Sequence, residues 1–258
     1  MLKLYHYWSS VCSQKARLCL TEKNIPYESH HVDLFSFDNY KDWYTKLNPK
    51  AVVPTVDHDG RIITESNVIL EYLEDAFPQV KLRPDDLYER AQMRLWIYNS
   101  EEAAHWNINV CSHSRHAARL AKRNYTREEL LTWADSCSNP MVGRRLRKRV
   151  EQGVSMEETE DAFAQLEFLL DMMEAKLRGN PWLAGANYSL ADIAMAPMIN
   201  RLEVLSRPEM IGPEKRPAIA DWWARVSARP AFKVAFSFAN PDARSEEHTS
   251  ELQSRLHL

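Results

Sequence analysis

Residues 52–66, VVPTVDHDGRIITES, contain the pattern that decides the fold. Two runs of β-forming residues, Val52 to Val56 and Arg61 to Thr64, flank the dipeptide Asp59-Gly60. Asp-Gly between two such runs is a strong signal for a hairpin with a two-residue turn. After Glu65-Ser66 the apolar side chains recur at helical spacing, which predicts a closing helix with one buried face.

The residues before this hairpin alternate between strand patterns and helix patterns. Leu2 to Tyr7 and Tyr27 to Leu34 are predicted strands, Cys12 to Lys23 is a predicted helix, and Asp42 to Leu47 is a short helical segment. The predicted order is therefore β-α-β-α-β-β-α, a βαβ unit followed by a hairpin and a helix. This is the order of a thioredoxin-like domain, which we predict for residues 1–80.

The strand signals fade beyond a polar, proline-containing linker that we place at residues 81–88. The segments with helical patterns are Arg90–His116, Arg127–Ala134, Arg144–Glu151, Met156–Leu177 and Pro217–Ala228. Ser189-Leu190-Ala191-Asp192 resembles a capping box at the start of one more helix. An all-α domain is therefore predicted for residues 89–243, so the fold class is α/β followed by all-α.

The last residues, 244–258, are treated separately from the fold. The segment RSEEHTSELQS at residues 244–254 is polar and has no periodic apolar stripe, which predicts a disordered tail. The same letters match the in-frame translation of a common DNA-sequencing adapter. We therefore interpret the tail as an artefact of the gene sequence and leave it out of the fold prediction.

Composition and charge exclude several classes of function. The formal net charge is -3, which argues against a chain built to coat nucleic acid or an anionic membrane. The basic run at residues 144–149, RRLRKR, has no interleaved aromatic residue and is predicted to be a solvated helix face. Glycine-rich dinucleotide and P-loop motifs are absent from the sequence. No partner of nucleic acid or membrane type is expected.

The cysteine pattern and the N-terminal residues predict a cytoplasmic location. The four cysteines are Cys12, Cys19, Cys111 and Cys137, and their spacing contains no C-x-x-C pair, which is typical of reduced thiols. No secretory signal and no apolar run of membrane-spanning length is found. His113-x-x-His116 has no evident third ligand, so no metal is expected.

Four motifs, in this order along the chain, resemble the cytosolic glutathione S-transferase superfamily of bacterial type. They are YWSSVCSQKAR at residues 7–17, LNPKAVVPT at 47–55, Glu65-Ser66, and NYSLADIAMAP at 187–197. The first is similar to the zeta class and to tetrachlorohydroquinone reductive dehalogenases. TESNVILEYLEDAFP, at residues 64–78, is similar to β-etherase-like transferases. The resemblance covers about residues 1–241 and implies the thioredoxin-like and helical domains predicted above.

The resemblance implies an enzyme that uses glutathione as its cosubstrate. Glutathione would be held as a thiolate at the N-terminus of the first helix and transferred to a small hydrophobic, aromatic electrophile. Ser10 matches the thiolate-stabilising serine of the zeta class. Cys12 matches the cysteine that forms a mixed disulfide in the reductive dehalogenases, and Ser13 is a third candidate. The sequence leaves open which of the three contacts the thiol.

The resemblance also assigns residues to the rest of the tripeptide and to the second substrate. Val53-Pro54 is expected to be a cis peptide that presents backbone groups to glutathione. Glu65-Ser66 suits the ammonium and carboxylate of the γ-glutamyl end, and Lys41 and Lys50 suit the glycyl carboxylate. The electrophile pocket is expected between the domains, and its candidate lining residues are Trp8, His105, Trp106 and Asn109.

Two alternative functions stay open at the level of sequence. The first is a glutathione-dependent reductive dehalogenase or thiol-exchange enzyme that uses Cys12. The second is a non-catalytic, transferase-like binding protein. Glu65 stands where the dehalogenases have asparagine, which weakens that particular match. A homodimer is expected from the family.

Overall fold

The N-terminal part of the chain forms a four-stranded mixed sheet with helices. The structure is a computed structural model, and its described residues are 1–113, 116–117, 123, 125–137 and 140–238. The predicted tail at 244–258 lies outside these residues. The elements are β1 (Leu2–His6), α1 (Val11–Glu22), β2 (Glu28–His31), α2 (Asp42–Thr45), β3 (Thr55–His58), β4 (Arg61–Thr64) and α3 (Ser66–Ala76).

The strands lie in the order β2-β1-β3-β4 across the sheet. β1 pairs with β2 in parallel, where Leu4 is opposite Ser29, and with β3 antiparallel, where Leu4 is opposite Val56. A parallel pair needs a crossover connection, and α1 supplies it between β1 and β2. The observed elements follow the predicted order β-α-β-α-β-β-α, so the thioredoxin-like prediction for this part is confirmed.

The β3–β4 hairpin turns at the predicted dipeptide. Asp59 and Gly60 have positive φ angles of 52° and 83°, as a type I′ turn requires at both central positions. At the far end of the hairpin Thr55 is opposite Thr64. The residues just before β3 and just after β4, which include Pro54 and Glu65, are therefore brought together at one end of the sheet.

The C-terminal part is helical in its described residues, and none of the described helices is long and apolar enough to cross a membrane. The helices are α4 (Leu87–Asn99), α5 (Trp106–Cys111), α6 (Arg127–Ser136), α7 (Pro140–Gln152), α8 (Met156–Arg178), α9 (Leu190–Val204), α10 (Pro217–Ser227) and α11 (Pro230–Phe236). Short 3-10 helices form at Asp38–Tyr40 and Pro208–Met210. A π-helical segment, Ser100–His105, joins α4 to α5.

The predicted long helix over Arg90–His116 is interrupted by the π-helical segment, which separates α4 from α5. The interruption coincides with a polar contact from the other domain. Ser100 Oγ donates a 2.7 Å hydrogen bond to the Ile97 carbonyl and accepts a 2.9 Å bond from Lys15 Nζ of α1. A side chain inserted into the helical hydrogen-bond ladder is a known cause of such irregularity.

Helix α1 is the centre of the core rather than a surface helix. All residues from Val11 to Leu20 are buried, and α3, α9 and α11 pack against it. Even Lys15 and Arg17 are fully buried. The predicted boundaries of α1 agree with the structure to within a residue, and helices cover α1 on more than one side.

A buried ion pair anchors the segment between the two domains. Lys23 Nζ donates a 2.6 Å hydrogen bond to Glu74 Oε2, and both side chains are almost fully buried. The Glu74 carboxylate also accepts hydrogen bonds from the backbone N–H groups of Leu82 and Arg83. One carboxylate therefore ties α1, α3 and the predicted linker together, although the exact domain boundaries stay a prediction.

Replacing this carboxylate should destabilise the protein strongly. Glu74→Ala leaves the Lys23 ammonium buried without its partner, which typically costs about 3–5 kcal/mol. The neighbouring Asp75→Ala is the matched control, because Asp75 forms an exposed pair with Arg83 and such pairs contribute below about 1 kcal/mol. Urea unfolding measures both changes. Equal losses of stability in the two variants would contradict the assigned role of Glu74.

Candidate functional site

The turn between β1 and α1 places two of the predicted serines in different environments. Ser10 is the N-cap of α1, and its Oγ accepts a 3.2 Å hydrogen bond from the Ser13 N–H. Ser13 is fully buried, and its Oγ accepts a 3.2 Å bond from the Tyr7 N–H. The buried Ser13 hydroxyl therefore stabilises the turn through its hydrogen bond with Tyr7. The half-buried Ser10 hydroxyl, in contrast, keeps its proton available for a ligand.

Two arginines fix the backbone of this turn. Arg17 donates to the carbonyl oxygens of Tyr7 and Trp8, at 3.2 and 2.8 Å. Arg201 of α9 donates to the Ser9 carbonyl. Because these guanidinium groups donate hydrogen bonds to three consecutive carbonyls just before α1, the backbone that leads into the helix is held in one geometry. The sequence analysis gave neither arginine a role.

The segment before β3 has the predicted cis peptide, between Val53 and Pro54. Tyr44 Oη donates a 2.6 Å hydrogen bond to the Val52 carbonyl, and Asn48 Nδ2 donates to the same oxygen at 2.9 Å. These two hydrogen bonds fix the conformation of the loop before β3. The backbone of Val53 is thereby set at the same end of the sheet as the α1 N-terminus, where the resemblance places glutathione.

The N-terminus of α3 lies at that same end. Glu65, with a positive φ of 67°, precedes the helix, and Ser66 at its start is 5% exposed. Lys50 Nζ lies 2.7 Å from Glu65 Oε1, and Lys41 Nζ lies 2.6 Å from Asp38 Oδ1. Both predicted carboxylate-binding lysines therefore have acidic partners here. Exposed pairs of this kind are weak enough to exchange for a ligand.

A third group of functional side chains joins the two domains. Cys12, in the first turn of α1, meets Glu101 and His105 of the π-helical segment. The Cys12 sulfur, a ring nitrogen of His105 and a Glu101 oxygen all lie within 4.8 Å of one another. His105 Nδ1 lies 2.7 Å from Glu101 Oε1, and the Asn109 amide lies 3.0 Å from His105 Nε2. We call Cys12, Glu101 and His105 the interdomain cluster.

The electrostatics of this cluster favour a charged thiol. Burial by itself raises the pKa of the Cys12 thiol, but the positive charge of His105, its hydrogen bond to the sulfur and the charge of Lys15 outweigh burial, so the pKa lies below its usual value. Burial also opposes the charged form of His105. The negative groups Cys12 and Glu101 outweigh it and raise the pKa of His105 to about 10.

A buried lysine supports the cluster from the α1 side. Lys15 Nζ donates to Asn67 Oδ1 of α3 at 3.1 Å and to Ser100 Oγ at 2.9 Å. It also lies 3.7 Å from Glu101 Oε2. A buried ammonium needs such partners to remain charged. Lys15 therefore links α1, α3 and the π-helical segment through one positive charge placed near the thiol.

The other residues predicted to line the electrophile pocket are Asn109, Trp106 and Trp8, and of these Asn109 contacts the cluster. Asn109 contacts His105 as described, and Trp106 is 49% exposed with the Arg145 guanidinium 5.1 Å from its ring. Trp8 follows β1 and packs against the Tyr7 ring at a centroid distance of 5.8 Å. The structure thus shows where each residue lies, and their contact with an electrophile stays a prediction.

The interdomain cluster contains side-chain types that bind metals, but its histidine also has hydrogen-bond partners within the protein. Both ring nitrogens of His105 already face polar partners, Glu101 on one side and Asn109 on the other. Ring nitrogens that already have hydrogen-bond partners within the protein are typical of a hydrogen-bonded network. The absence of a metal cofactor stays a prediction.

Sequence reasoning missed Glu101 and Lys15. Glu101 stands four residues before His105, the spacing that brings two side chains together on a helix, so this pair had a detectable signal. The sequence signal for Lys15 was weaker, because a lysine in a helix normally faces solvent. Only the packing of α3 and α9 against α1, together with the hydrogen bond to Ser100, shows that this lysine is enclosed.

Taken together, the site defines a class of protein in which the cis-proline end of a thioredoxin-like sheet faces a helical domain. The comparisons with known proteins agree with that class. The model of the glutathione S-transferase N-terminal domain matches residues 9–76, and that of the C-terminal domain matches residues 145–230. Protein LigF of Sphingobium sp. strain SYK-6 is 32% identical over 243 residues, covering 91% of this chain and 93% of that protein. The chain belongs to the glutathione S-transferase family.

Two further similarities describe the chain's position within the family. The tetrachloro-p-hydroquinone reductive dehalogenase of Sphingobium chlorophenolicum is 28% identical over 246 residues, covering 91% of this chain and 95% of the dehalogenase. The crystal structure of the beta-etherase LigF from Sphingobium sp. strain SYK-6 matches with a TM-score of 0.84 at 32% identity. That match covers 92% of this chain and 99% of LigF. The chain is therefore similar over nearly its whole length to relatives with different named activities.

Proposed function

We propose that the protein is an enzyme that binds glutathione, stabilises its thiolate at the N-terminus of α1 and transfers it to a small hydrophobic, aromatic electrophile. The observation that carries this proposal is the Ser10 cap. Its oxygen accepts from the Ser13 N–H, so the hydroxyl proton can be donated to a sulfur placed at the helix end.

The chemistry follows from the ionisation of the glutathione thiol. A free thiol has a pKa of about 8.5, so most of it is protonated at neutral pH and unreactive. The first N–H groups of α1 and the positive end of its dipole favour an anion, and the Ser10 hydroxyl adds one hydrogen bond. Lowering the thiol pKa by about two units corresponds to roughly 2.7 kcal/mol.

The rest of the tripeptide is proposed to lie along the end of the sheet. The backbone of Val53 pairs with it as an added strand would, and the α3 N-terminus with Ser66 binds the γ-glutamyl carboxylate. Glu65 binds the ammonium group and releases Lys50, which then faces the glycyl carboxylate. The ion pair between Glu65 and Lys50 supports both assignments. Glu65 already binds a positive charge, as it would bind the ammonium group, and Lys50 already binds a negative charge, as it would bind the glycyl carboxylate.

Removing the Ser66 hydroxyl should weaken glutathione binding without loss of the fold. Ser66→Ala deletes one hydrogen bond to a charged group, which corresponds to about a tenfold rise in Kd. Calorimetric titration measures it, with Ser155→Ala as the matched control, because Ser155 caps α8 away from this end of the sheet. A Kd that is unchanged in Ser66→Ala would argue against the γ-glutamyl assignment.

Two chemical classes of substrate, chosen from the names of the relatives, test the identity of the electrophile. One relative is a beta-etherase and another a reductive dehalogenase. Aryl ethers and chlorinated aromatics are therefore the first substrates to offer with glutathione. Conjugation of either class supports the transferase. Glutathione binding with no turnover of any electrophile would support a non-catalytic binding protein. A homodimer and a cytoplasmic location stay predictions.

Reductive thiol exchange at Cys12 is a second candidate function, and one observation favours it. The sulfur of Cys12 lies in the same first turn of α1 as the proposed thiolate site and is surrounded by His105, Glu101 and Lys15. A thiol in that environment ionises more readily than an ordinary buried cysteine, and the thiolate is the form that attacks a disulfide.

A further inference from the structure

One face of the helical stretch that contains α5 is turned towards the N-terminal domain. At its start His105 meets Cys12 of α1, and further along His116 packs against the Phe35 ring at a centroid distance of 5.8 Å. The His116 N–H donates to the Ser112 carbonyl, so helical hydrogen bonding continues beyond α5. The separation of the two histidines is about three helical turns, which places them on the same face. This face therefore forms one wall of the space between the domains.

A basic stripe borders that wall. Trp106 and His113 are about two turns apart and lie roughly a quarter turn round the helix from the wall. The Arg145 guanidinium of α7 lies 5.1 Å from the centroid of the Trp106 ring, which is 49% exposed. Burial and the charge of Arg149 lower the pKa of His113, so Arg149 lies close to that ring. We call Trp106, His113, Arg145 and Arg149 the basic rim.

Helix α7 balances some of its positive charges and leaves others without an acidic partner. Arg147 forms ion pairs with Asp135 and Glu151. Arg145 and Arg149 are four residues apart and therefore share one side of the helix. In the part of the chain that the structure describes, neither of these two arginines has a carboxylate within ion-pair distance.

The arginines of the basic rim also repel each other. Burial and the charge of Arg145 lower the pKa of Arg149, and the carboxylate of Glu158 offsets them only in part. Glu158 itself is paired with Lys148, at 3.4 Å. The rim therefore carries a positive charge that the protein does not neutralise, and an anion bound between the two guanidinium groups would reduce their repulsion.

We propose that the aromatic electrophile carries a carboxylate, which Arg145 and Arg149 bind while the Trp106 ring packs against the substrate ring. This inference rests on the proposed function and narrows its substrate to carboxylated aromatic electrophiles. The planar guanidinium fork matches the geometry of a carboxylate, and an arginine stacked on an indole keeps its N–H edge free for such a ligand.

The position of the rim suits this role. Trp106 directly follows His105, and His105 meets Cys12 in the first turn of α1. A substrate with its carboxylate at the rim would therefore extend from α7 towards the amino end of α1, where the proposed function places the glutathione sulfur. Arg145 and Arg149 would set specificity, because they contact a substituent rather than the reacting carbon.

Binding of an unreactive pair of ligands tests the rim without any reaction. 4-Methyl-3-nitrobenzoate carries the charge, 4-methyl-3-nitrobenzamide is its neutral counterpart, and neither has a leaving group. Calorimetric titrations use the full chain with excess S-methylglutathione, which occupies the carboxylate-binding groups of the proposed glutathione site. We expect the benzoate to bind about tenfold more tightly than the benzamide. Equal affinities would overturn the proposal.

Three variants of α7 locate the source of the preference. Arg145→Gln and Arg149→Gln should each raise the Kd of the benzoate about tenfold and leave that of the benzamide nearly unchanged. Arg147→Gln is the matched control, because it removes one positive charge from the same helix but one that is already paired with two acids. Equal losses in Arg145→Gln and Arg147→Gln would reflect only the general field of the helix and would overturn the proposal. Arg145 is exposed, so its variant should fold even where Arg149→Gln does not.

A reactive pair connects the rim to the proposed function. With 4-chloro-3-nitrobenzoate and 4-chloro-3-nitrobenzamide, the glutathione thiolate forms a carbon–sulfur bond at the carbon that loses chloride. The ratio of the two kcat/KM values, divided by the ratio of the uncatalysed rate constants, should favour the benzoate about tenfold. Arg145→Gln should lose this preference through KM rather than kcat, because the interaction is the same before and during the reaction.

The two pairs of compounds separate the failure of this inference from that of the proposed function. Turnover of both chlorinated compounds without a preference for the charged one overturns the inference alone. Preferred binding of 4-methyl-3-nitrobenzoate that is lost in Arg145→Gln, with no turnover of either chlorinated compound, supports the carboxylate site and contradicts the proposed transferase reaction.

Discussion

Ser10→Ala should lower kcat/KM for conjugation of glutathione to an aromatic electrophile by about a hundredfold. Loss of one donor to an anion that forms in the reaction typically costs this much. The structure supports a direct effect, because the Ser10 hydroxyl caps α1 with its oxygen and keeps its proton for the sulfur. Steady-state kinetics with a chlorinated nitroaromatic substrate measures the change.

Two companion variants separate the hydroxyl from the helix cap. Ser10→Gly keeps most of the cap stability but has no hydroxyl, so it should be nearly as slow as Ser10→Ala while unfolding at almost the wild-type denaturant concentration. Ser10→Thr keeps a hydroxyl and should retain most of the activity. Full activity in Ser10→Gly would remove Ser10 from the reaction and leave Cys12 and Ser13 as the candidates.

Asp192→Ala should produce a large loss of stability, comparable to that of Glu74→Ala. The carboxylate is fully buried at the start of α9, where it accepts from the N–H groups of Leu183 and Ser189 and from Trp222 Nε1 at 2.8 Å. Alanine leaves these buried donors without their acceptor. Each unmet donor costs about 1–3 kcal/mol, so a total of about 4 kcal/mol or more is expected. Urea unfolding gives the value.

The matched control is a second capping box in the same domain. Glu158 completes the box with Ser155 at the start of α8, in an exposed position. Glu158→Ala should therefore lose much less stability than Asp192→Ala, because water replaces the lost bond. Similar losses in Glu158→Ala and Asp192→Ala would show that burial at Asp192 does not set its contribution.

Local features of the fold were predictable from the sequence. The Asp59-Gly60 turn and the Ser189–Asp192 capping box are each specified by a few adjacent residues, and the structure has both. The π-helical segment was not predictable in the same way. Its irregularity involves Ser100 and Lys15, and the contact between them exists only after the two domains pack together.

In the candidate site, too, only the features specified by a few adjacent residues were predictable. Ser10, Cys12 and the cis peptide at Val53-Pro54 belong to short motifs, so the amino-acid sequence alone is enough to single them out. The neighbours of Cys12 could not be identified in this way. Although His105 was predicted to line a pocket, its contact with Cys12 depends on the packing of both α1 and the π-helical segment against α9, which no local pattern encodes.

In the proposed reaction the amino end of α1 holds the glutathione sulfur as a thiolate. Ultraviolet absorbance of the bound thiolate, titrated against pH, tests it most directly, with S-methylglutathione as the control ligand that has no thiol. We predict that the difference between the two complexes titrates with a pKa of about 6.5, some two units below the free thiol. A bound thiol that still titrates at about 8.5 would contradict the claim.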